Sequence, residues 1–67
     1  MISFRPLREK IKREGITYYW LMKRGVNSLT VQKIKRDQII TTKTLNELCE
    51  ILHCPVSDII EFIDDSD

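Results

Sequence analysis

Three times in this chain an apolar residue, a capping residue and a second apolar residue four positions after the cap follow one another: Ile16, Thr17, Leu21, then Val26, Asn27, Val31, then Ile40, Thr41, Leu45. That is the spacing of the hydrophobic staple. The residue before the cap packs on the fourth helical residue, while the cap oxygen accepts one of the orphan N–H groups of the first turn. Cys54, Pro55 and Ile59 repeat the spacing without a side-chain acceptor, and Asp58 in that first turn compensates through the helix dipole. Helix starts packed this densely leave little room for anything but short helices.

An opening helix from about Arg5 to Glu14, with Pro6 in its tolerated first turn and Gly15 as its stop, brings the expected number to five. The others run roughly from Tyr18 to Arg24, Ser28 to Arg36, Thr42 to Leu52 and Val56 to Ile63. No stretch sustains period-two alternation, so the sequence predicts an all-α, compact five-helix fold with no sheet. Leu7 and Ile11 form the apolar edge of the first helix, and Leu45, Leu48, Cys49 and Leu52 form an i, i+3, i+4, i+7 stripe on the fourth. The fifth carries Val56, Ile59, Ile60, Phe62 and Ile63, more apolar positions than one face of a short helix hides, which points to a subunit contact.

With 67 residues the chain has room for one domain, residues 1–67, whose acidic tail at 64–67 is expected to fray. The two cysteines have neither the number nor the spacing of a secreted disulfide framework, and no cleavable apolar signal precedes the first charges, so a reducing cytoplasm is expected. No apolar run approaches the roughly 18 residues of a membrane span. The basic half also lacks the broad apolar stripe of an interfacial helix.

Charge is divided along the chain in a way that the net value of +1 conceals. Met1 to Arg36 carries ten Lys/Arg against Glu9 and Glu14, a net +8, whereas from Asp37 onward Lys43 alone opposes eight acids, a net −7. Such a reversal fits one region for a polyanion and another that repels it. Nucleic acid is the first candidate.

The second helix, a tight turn from Arg24 to Asn27 containing Gly25, and the third helix have the dimensions of a helix-turn-helix. At about 100° per residue counted from Ser28, Val31 and Ile34 fall near 300° and 240°, while Ser28, Leu29, Gln32, Lys33 and Arg36 fall on the opposite side. The outward face thus offers a hydroxyl, an amide, two cations and one apolar group. These suit base edges: Gln pairs with adenine, Lys or Arg with guanine, and an apolar group meets the thymine methyl. The same residue types also make an ordinary solvated face, but here the helix follows a tight turn and ends the basic half.

On these residues the chain resembles the lambda-repressor-like, Cro-type helix-turn-helix family, often called XRE, and in particular its small stand-alone regulators of bacteria and phages. The resemblance spans Phe4 to Asp64 and is carried by GITYYWL before the turn, TVQKIK in the third helix, and TLNELCEILHC with DIIEFI after it. It implies a transcriptional regulator, a repressor in the first instance, with helix three in the major groove. By position it implies base reading by Ser28, Leu29, Gln32 and Lys33. Thr17 and Tyr18 match positions that hold a phosphate at a helix N-terminus, and Lys35, Arg36, Gln38, Thr42 and Lys43 match further backbone contacts that position without specifying sequence. The chain departs from the family pattern in three places. Tyr18 stands where a glutamine usually opens helix two, Met22 stands where many relatives use alanine for close helix approach, with a turn one residue shorter, and Asp37 replaces a frequent glycine after helix three.

Other constellations carry less. Cys49, His53 and Cys54 are three ligands where a structural zinc site wants four, and both cysteines fit apolar positions, so no metal is expected. A lone histidine, no nucleophile elbow and no glycine-rich phosphate loop argue against an enzyme, and no cofactor or small-molecule effector is implied. Trp20, in the run Tyr18, Tyr19, Trp20, either packs near Phe4 or serves as a protein contact; single-strand stacking is a weaker third reading.

The sequence therefore predicts a cytoplasmic, nucleoid-associated regulator that binds double-stranded DNA as a homodimer on a roughly palindromic operator. Ile60, Phe62, Ile63 and Trp20 are the expected dimer or partner contacts. The rival keeps the fold but uses it as a protein-interaction module, an inhibitor or antitoxin-like partner without specific DNA binding.

Overall fold

All three expected side-chain caps form. In the computed structural model, which describes residues 1–64, α2 (Tyr18–Lys23), α3 (Ser28–Arg36) and α4 (Thr42–Leu52) each follow an extended residue whose side-chain oxygen accepts a first-turn N–H. Thr17 Oγ1 accepts from Trp20 at 3.0 Å, Asn27 Oδ1 from Leu29 at 2.7 Å, and Thr41 Oγ1 from Thr44 at 3.2 Å. The staple partners close behind them: Leu21 and Val31 are buried, and Leu45 packs against the core.

The first helix, α1 (Arg5–Glu14), is capped differently. Phe4 at its N-cap has no side-chain acceptor and Pro6 has no N–H, so the remaining first-turn donors need tertiary partners. They have them. The Phe4 N–H donates to Asp37 Oδ1 at 2.7 Å, the Arg5 N–H to Ser3 Oγ at 3.1 Å and the Leu7 N–H to the Ile59 carbonyl at 3.3 Å. One helix start thereby fixes two distant segments, at Asp37 and at Ile59, besides the adjoining Ser3.

Helix ends follow the chain's few left-handed residues. Gly15 at φ +68° terminates α1, while Asp37 at φ +55° and His53 at φ +51° end α3 and α4. Asp37 thus takes the conformation that glycine would take more easily. Gly25, at φ +106°, makes the turn between α2 and α3, a conformation closed to other residues without strain.

The segment expected as a fifth helix is not one. Val56–Asp58 forms a single 3₁₀ turn, and the chain then extends into strand β2 (Glu61–Phe62), which pairs antiparallel with strand β1 (Ile2–Ser3) in the register Ile2 to Phe62 and Ser3 to Glu61. Met1 and Ile63 extend the ladder by exchanging both backbone hydrogen bonds, each at 2.7 Å. The residues explain the departure. Val56, Ile59, Ile60 and Ile63 are β-branched, which lowers helix propensity and raises strand propensity, and Pro55 offers the helix start no cap. The architecture is therefore mostly helical, with four helices and a two-stranded sheet joining the two ends of the described chain.

Phe4, Leu7, Ile11, Leu21, Val26, Val31, Ile34, Leu48 and Ile59 make one core, drawn from every helix and from the segments flanking the sheet strands. Of the apolar stripe on α4 only Leu48 is fully enclosed; Leu45, Cys49 and Leu52 pack half-buried against the cluster. Ser3 is the buried polar residue, and its hydroxyl is satisfied by donating to Asp37 Oδ1 at 3.3 Å and accepting from Arg5. The expected frayed tail at 64–67 lies, beyond Asp64, outside the described residues.

Candidate nucleic-acid interface

Burial of Val31 and Ile34 fixes the rotation of α3 about its axis, because both insert into the core from the same side of the helix. Ser28, Leu29, Gln32 and Lys33 consequently all lie exposed on the opposite side, as the helical period requires. Leu29 is 63% exposed, a large apolar side chain among polar neighbours. The Asn27 cap holds the Leu29 N–H and so orders the turn that carries Ser28 and Leu29.

The cations that flank this face are also outward. Lys35, Arg36, Gln38, Thr42 and Lys43 are exposed, on the end of α3, the loop after it and the first turn of α4. Lys33, Lys35 and Arg36 occupy the last turn of α3, where the negative end of the helix dipole favours them. Lys35 Nζ lies 4.8 Å from the Tyr18 ring centroid, so it leans toward α2. Thr17 is exposed with its oxygen engaged in the cap, and Tyr18 is half-buried. Burial pushes the Tyr18 phenol up from its ordinary value, partly opposed by the nearby Arg8 charge, so it stays a neutral hydroxyl at neutral pH.

Behind the exposed face of α3 sits a clamp that the sequence did not disclose. Arg8 Nη1 donates to the Ile34 carbonyl at 2.8 Å and to Asp37 Oδ1 at 2.7 Å, tying α1 to the C-terminal end of α3. Asp37 meanwhile accepts from Phe4 and Ser3. The Arg8 hydrogen bond, followed by the Phe4 N–H, holds the Asp37 carboxyl below its usual range; the same pair raises the Arg8 guanidinium. Opposite charges 29 positions apart give no periodic signal, which is why residue spacing does not reveal them.

Met22, which stands where many relatives use alanine for close helix approach, faces outward on α2. It is 38% exposed, and Leu21, fully buried, packs α2 into the core instead. Trp20 is half-buried against the core, with the Arg24 guanidinium over its ring at 4.5 Å from the centroid. Tyr19 and Lys23, one helical turn apart, form the exposed face of α2.

The residues expected at a partner contact do not share one surface. Phe62 is 69% exposed on β2, Ile63 is half-buried in the ladder with Met1, and Trp20 lies away on α2. Ile60 instead lines an apolar groove of about 160 Å³ together with Ile2, Phe4, Ile39, Ile40 and Leu45. Ile39, 86% exposed at its rim, was not anticipated as a contact. The signal was present in the apolar pair Ile39 and Ile40, of which the staple needs only the second.

Cys49 and Cys54 are half-buried free thiols, and burial raises the Cys54 thiol further above neutral pH. Among the described residues no group of His, Cys, Asp and Glu is placed to hold a metal ion, and no helix is long and apolar enough to cross a membrane. A family model described as a Cro/C1-type helix-turn-helix DNA-binding domain matches residues 6–65. No curated protein and no solved structure matches the chain.

Proposed function

Because the chain belongs to the Cro/C1-type helix-turn-helix DNA-binding family, we propose that it is a sequence-specific regulator of transcription, most simply a repressor, that lays α3 in the major groove of double-stranded DNA. One observation carries this reading. Ser28, Leu29, Gln32 and Lys33 are exposed together on the face of α3 opposite buried Val31 and Ile34. No other segment of the described chain covers that face, so a groove floor has access to it. Lys35, Arg36, Gln38, Thr42 and Lys43, with Thr17 and Tyr18 at the start of α2, are the candidate backbone contacts. They supply the sequence-independent part of the affinity.

A homodimer completes the proposal, since two copies of α3 related by a two-fold axis would read a roughly palindromic operator with half-sites about one helical turn apart. Phe62 on β2, beside the open groove that contains Ile60, is the candidate seam; Ile63 and Trp20 are more enclosed and contribute less. The protein-interaction rival draws support from the same apolar surface, and one assay separates the two. In a mobility shift on random duplex DNA at two salt concentrations, groove binding gives a steep loss of affinity with salt, corresponding to about three to five phosphates per subunit. Absence of binding at either salt favours the rival. Selection from a random duplex pool then tests base reading and half-site spacing together.

A further inference from the structure

We infer that Cys49 and Cys54 form a reversible dithiol site, which a small disulfide of the glutathione class oxidises to an internal bridge across the end of α4. All four helices close with the same bond. The N–H of the residue after the left-handed one donates to a carbonyl five positions back: Ile16 to Ile11, Val26 to Leu21, Gln38 to Lys33 and Cys54 to Cys49, at 2.9–3.2 Å. This closure sets the two side chains at its ends against each other. At α1 and α2 they are apolar pairs, Ile11 with Ile16 and Leu21 with Val26, all packed in or against the core. At α3 they are the exposed Lys33 and Gln38. At α4 they are two free thiols, both half-buried against the core.

The backbone bond limits the Cα separation of Cys49 and Cys54 to about 7 Å, within the reach of a bridge. The thiols also sense each other: burial raises Cys54, the Lys10 ammonium opposes that rise, and charge on Cys49 adds to it. Oxidation proceeds by exchange. One cysteine, as its thiolate, attacks a sulfur of the small disulfide and expels one small thiolate, leaving a mixed disulfide. The other loses its proton to solvent and attacks the protein-bound sulfur, expelling the second small thiolate. Two electrons and two protons pass from the cysteines, and the small disulfide ends as two thiols. Because the second attack occurs within a turn that is already closed, the mixed disulfide does not accumulate. The bridge ties α4 to residues 54–60, which lead into β2, and touches none of Ser28, Leu29, Gln32 and Lys33 on α3.

The test incubates the reduced, folded protein with oxidised glutathione and weighs the intact chain. The expected product is lighter by two hydrogens, carries no glutathione, and gives a peptide joining Cys49 to Cys54; excess dithiothreitol restores the starting mass. Cys49→Ala and Cys54→Ala, which keep a small apolar group at each site, should instead hold one glutathione. Closing a six-residue loop should raise the folding equilibrium constant about fortyfold, read as a higher urea midpoint of the oxidised than of the reduced protein by Trp20 fluorescence. A stable glutathione adduct on the unaltered protein, two thiols that stay reduced, or a covalent dimer overturns the inference. So does an internal bridge that lowers the urea midpoint, since the fold would then resist the bond.

Discussion

Asp37→Asn removes one negative charge from the node where α1, β1 and α3 meet and leaves the shape of the side chain nearly unchanged. Asparagine also tolerates the left-handed backbone found at φ +55°. Its amide oxygen can still accept from the Phe4 N–H and the Ser3 hydroxyl, so the substitution isolates the charge. Lost are the ionic character of the 2.7 Å contact with Arg8 Nη1 and the weaker 3.4 Å contact with Nη2. A hydrogen bond involving a charged group contributes about 1.5–3 kcal/mol and a neutral one about 0.5–1.5 kcal/mol. With the two side chains 22% and 33% exposed, solvent screening trims the difference, leaving a loss of about 1–2 kcal/mol. For a domain of this size that is a fall in Tm of roughly 5–15 °C. Trp20 is the single tryptophan and lies half-buried, so urea unfolding can be followed by its fluorescence. The pH dependence has a definite sign. The Asp37 carboxyl is depressed below its ordinary 3.8, so its contribution is complete above that value and is lost as pH falls through the folded one. Wild type and variant should differ at neutral pH and converge once the pH has fallen through the depressed folded-state value of Asp37. A loss under about 0.5 kcal/mol at neutral pH, the worth of an ordinary surface pair, would refute the clamp. So would a difference that does not change with pH.

Three further outcomes are expected. Lys33→Ala should cost roughly 1–3 kcal/mol on the best selected duplex and relax the preference at one base pair; unchanged operator selection by the Gln32→Ala, Lys33→Ala double variant would remove α3 from the reading role. Lys35→Ala should weaken all duplexes about equally and lower the slope of log affinity against log salt by about 1, measured by fluorescence anisotropy across a salt series. Phe62→Ser should shift the oligomer toward monomer in sedimentation while leaving the urea midpoint of a dilute sample nearly unaltered, because the side chain is 69% exposed; an unchanged dimer would move the seam elsewhere.

Local chemistry made most of the helical layout legible in the residues themselves. A cap and its staple involve atoms within five positions, so Thr17, Asn27 and Thr41 announce α2, α3 and α4, and Gly15 announces the end of α1. The outward face of α3 was equally readable, since Val31 and Ile34 sit on the helical period and leave Ser28, Leu29, Gln32 and Lys33 opposite them.

The segment from Val56 to Ile63 belonged to tertiary structure. Its staple-like spacing supports only one 3₁₀ turn, and its β-branched residues extend because Ile2 and Ser3 supply a ladder, with Met1 and Ile63 hydrogen-bonded across 62 positions of sequence. The node at Asp37 is of the same kind, gathering donors from Ser3, Phe4 and Arg8 that no periodicity relates to it. Short-range hydrogen bonds and helical period were thus written in neighbouring residues. Strand pairing and the Arg8–Asp37 clamp existed only once the core had brought distant backbone within about 3 Å, the reach of a hydrogen bond.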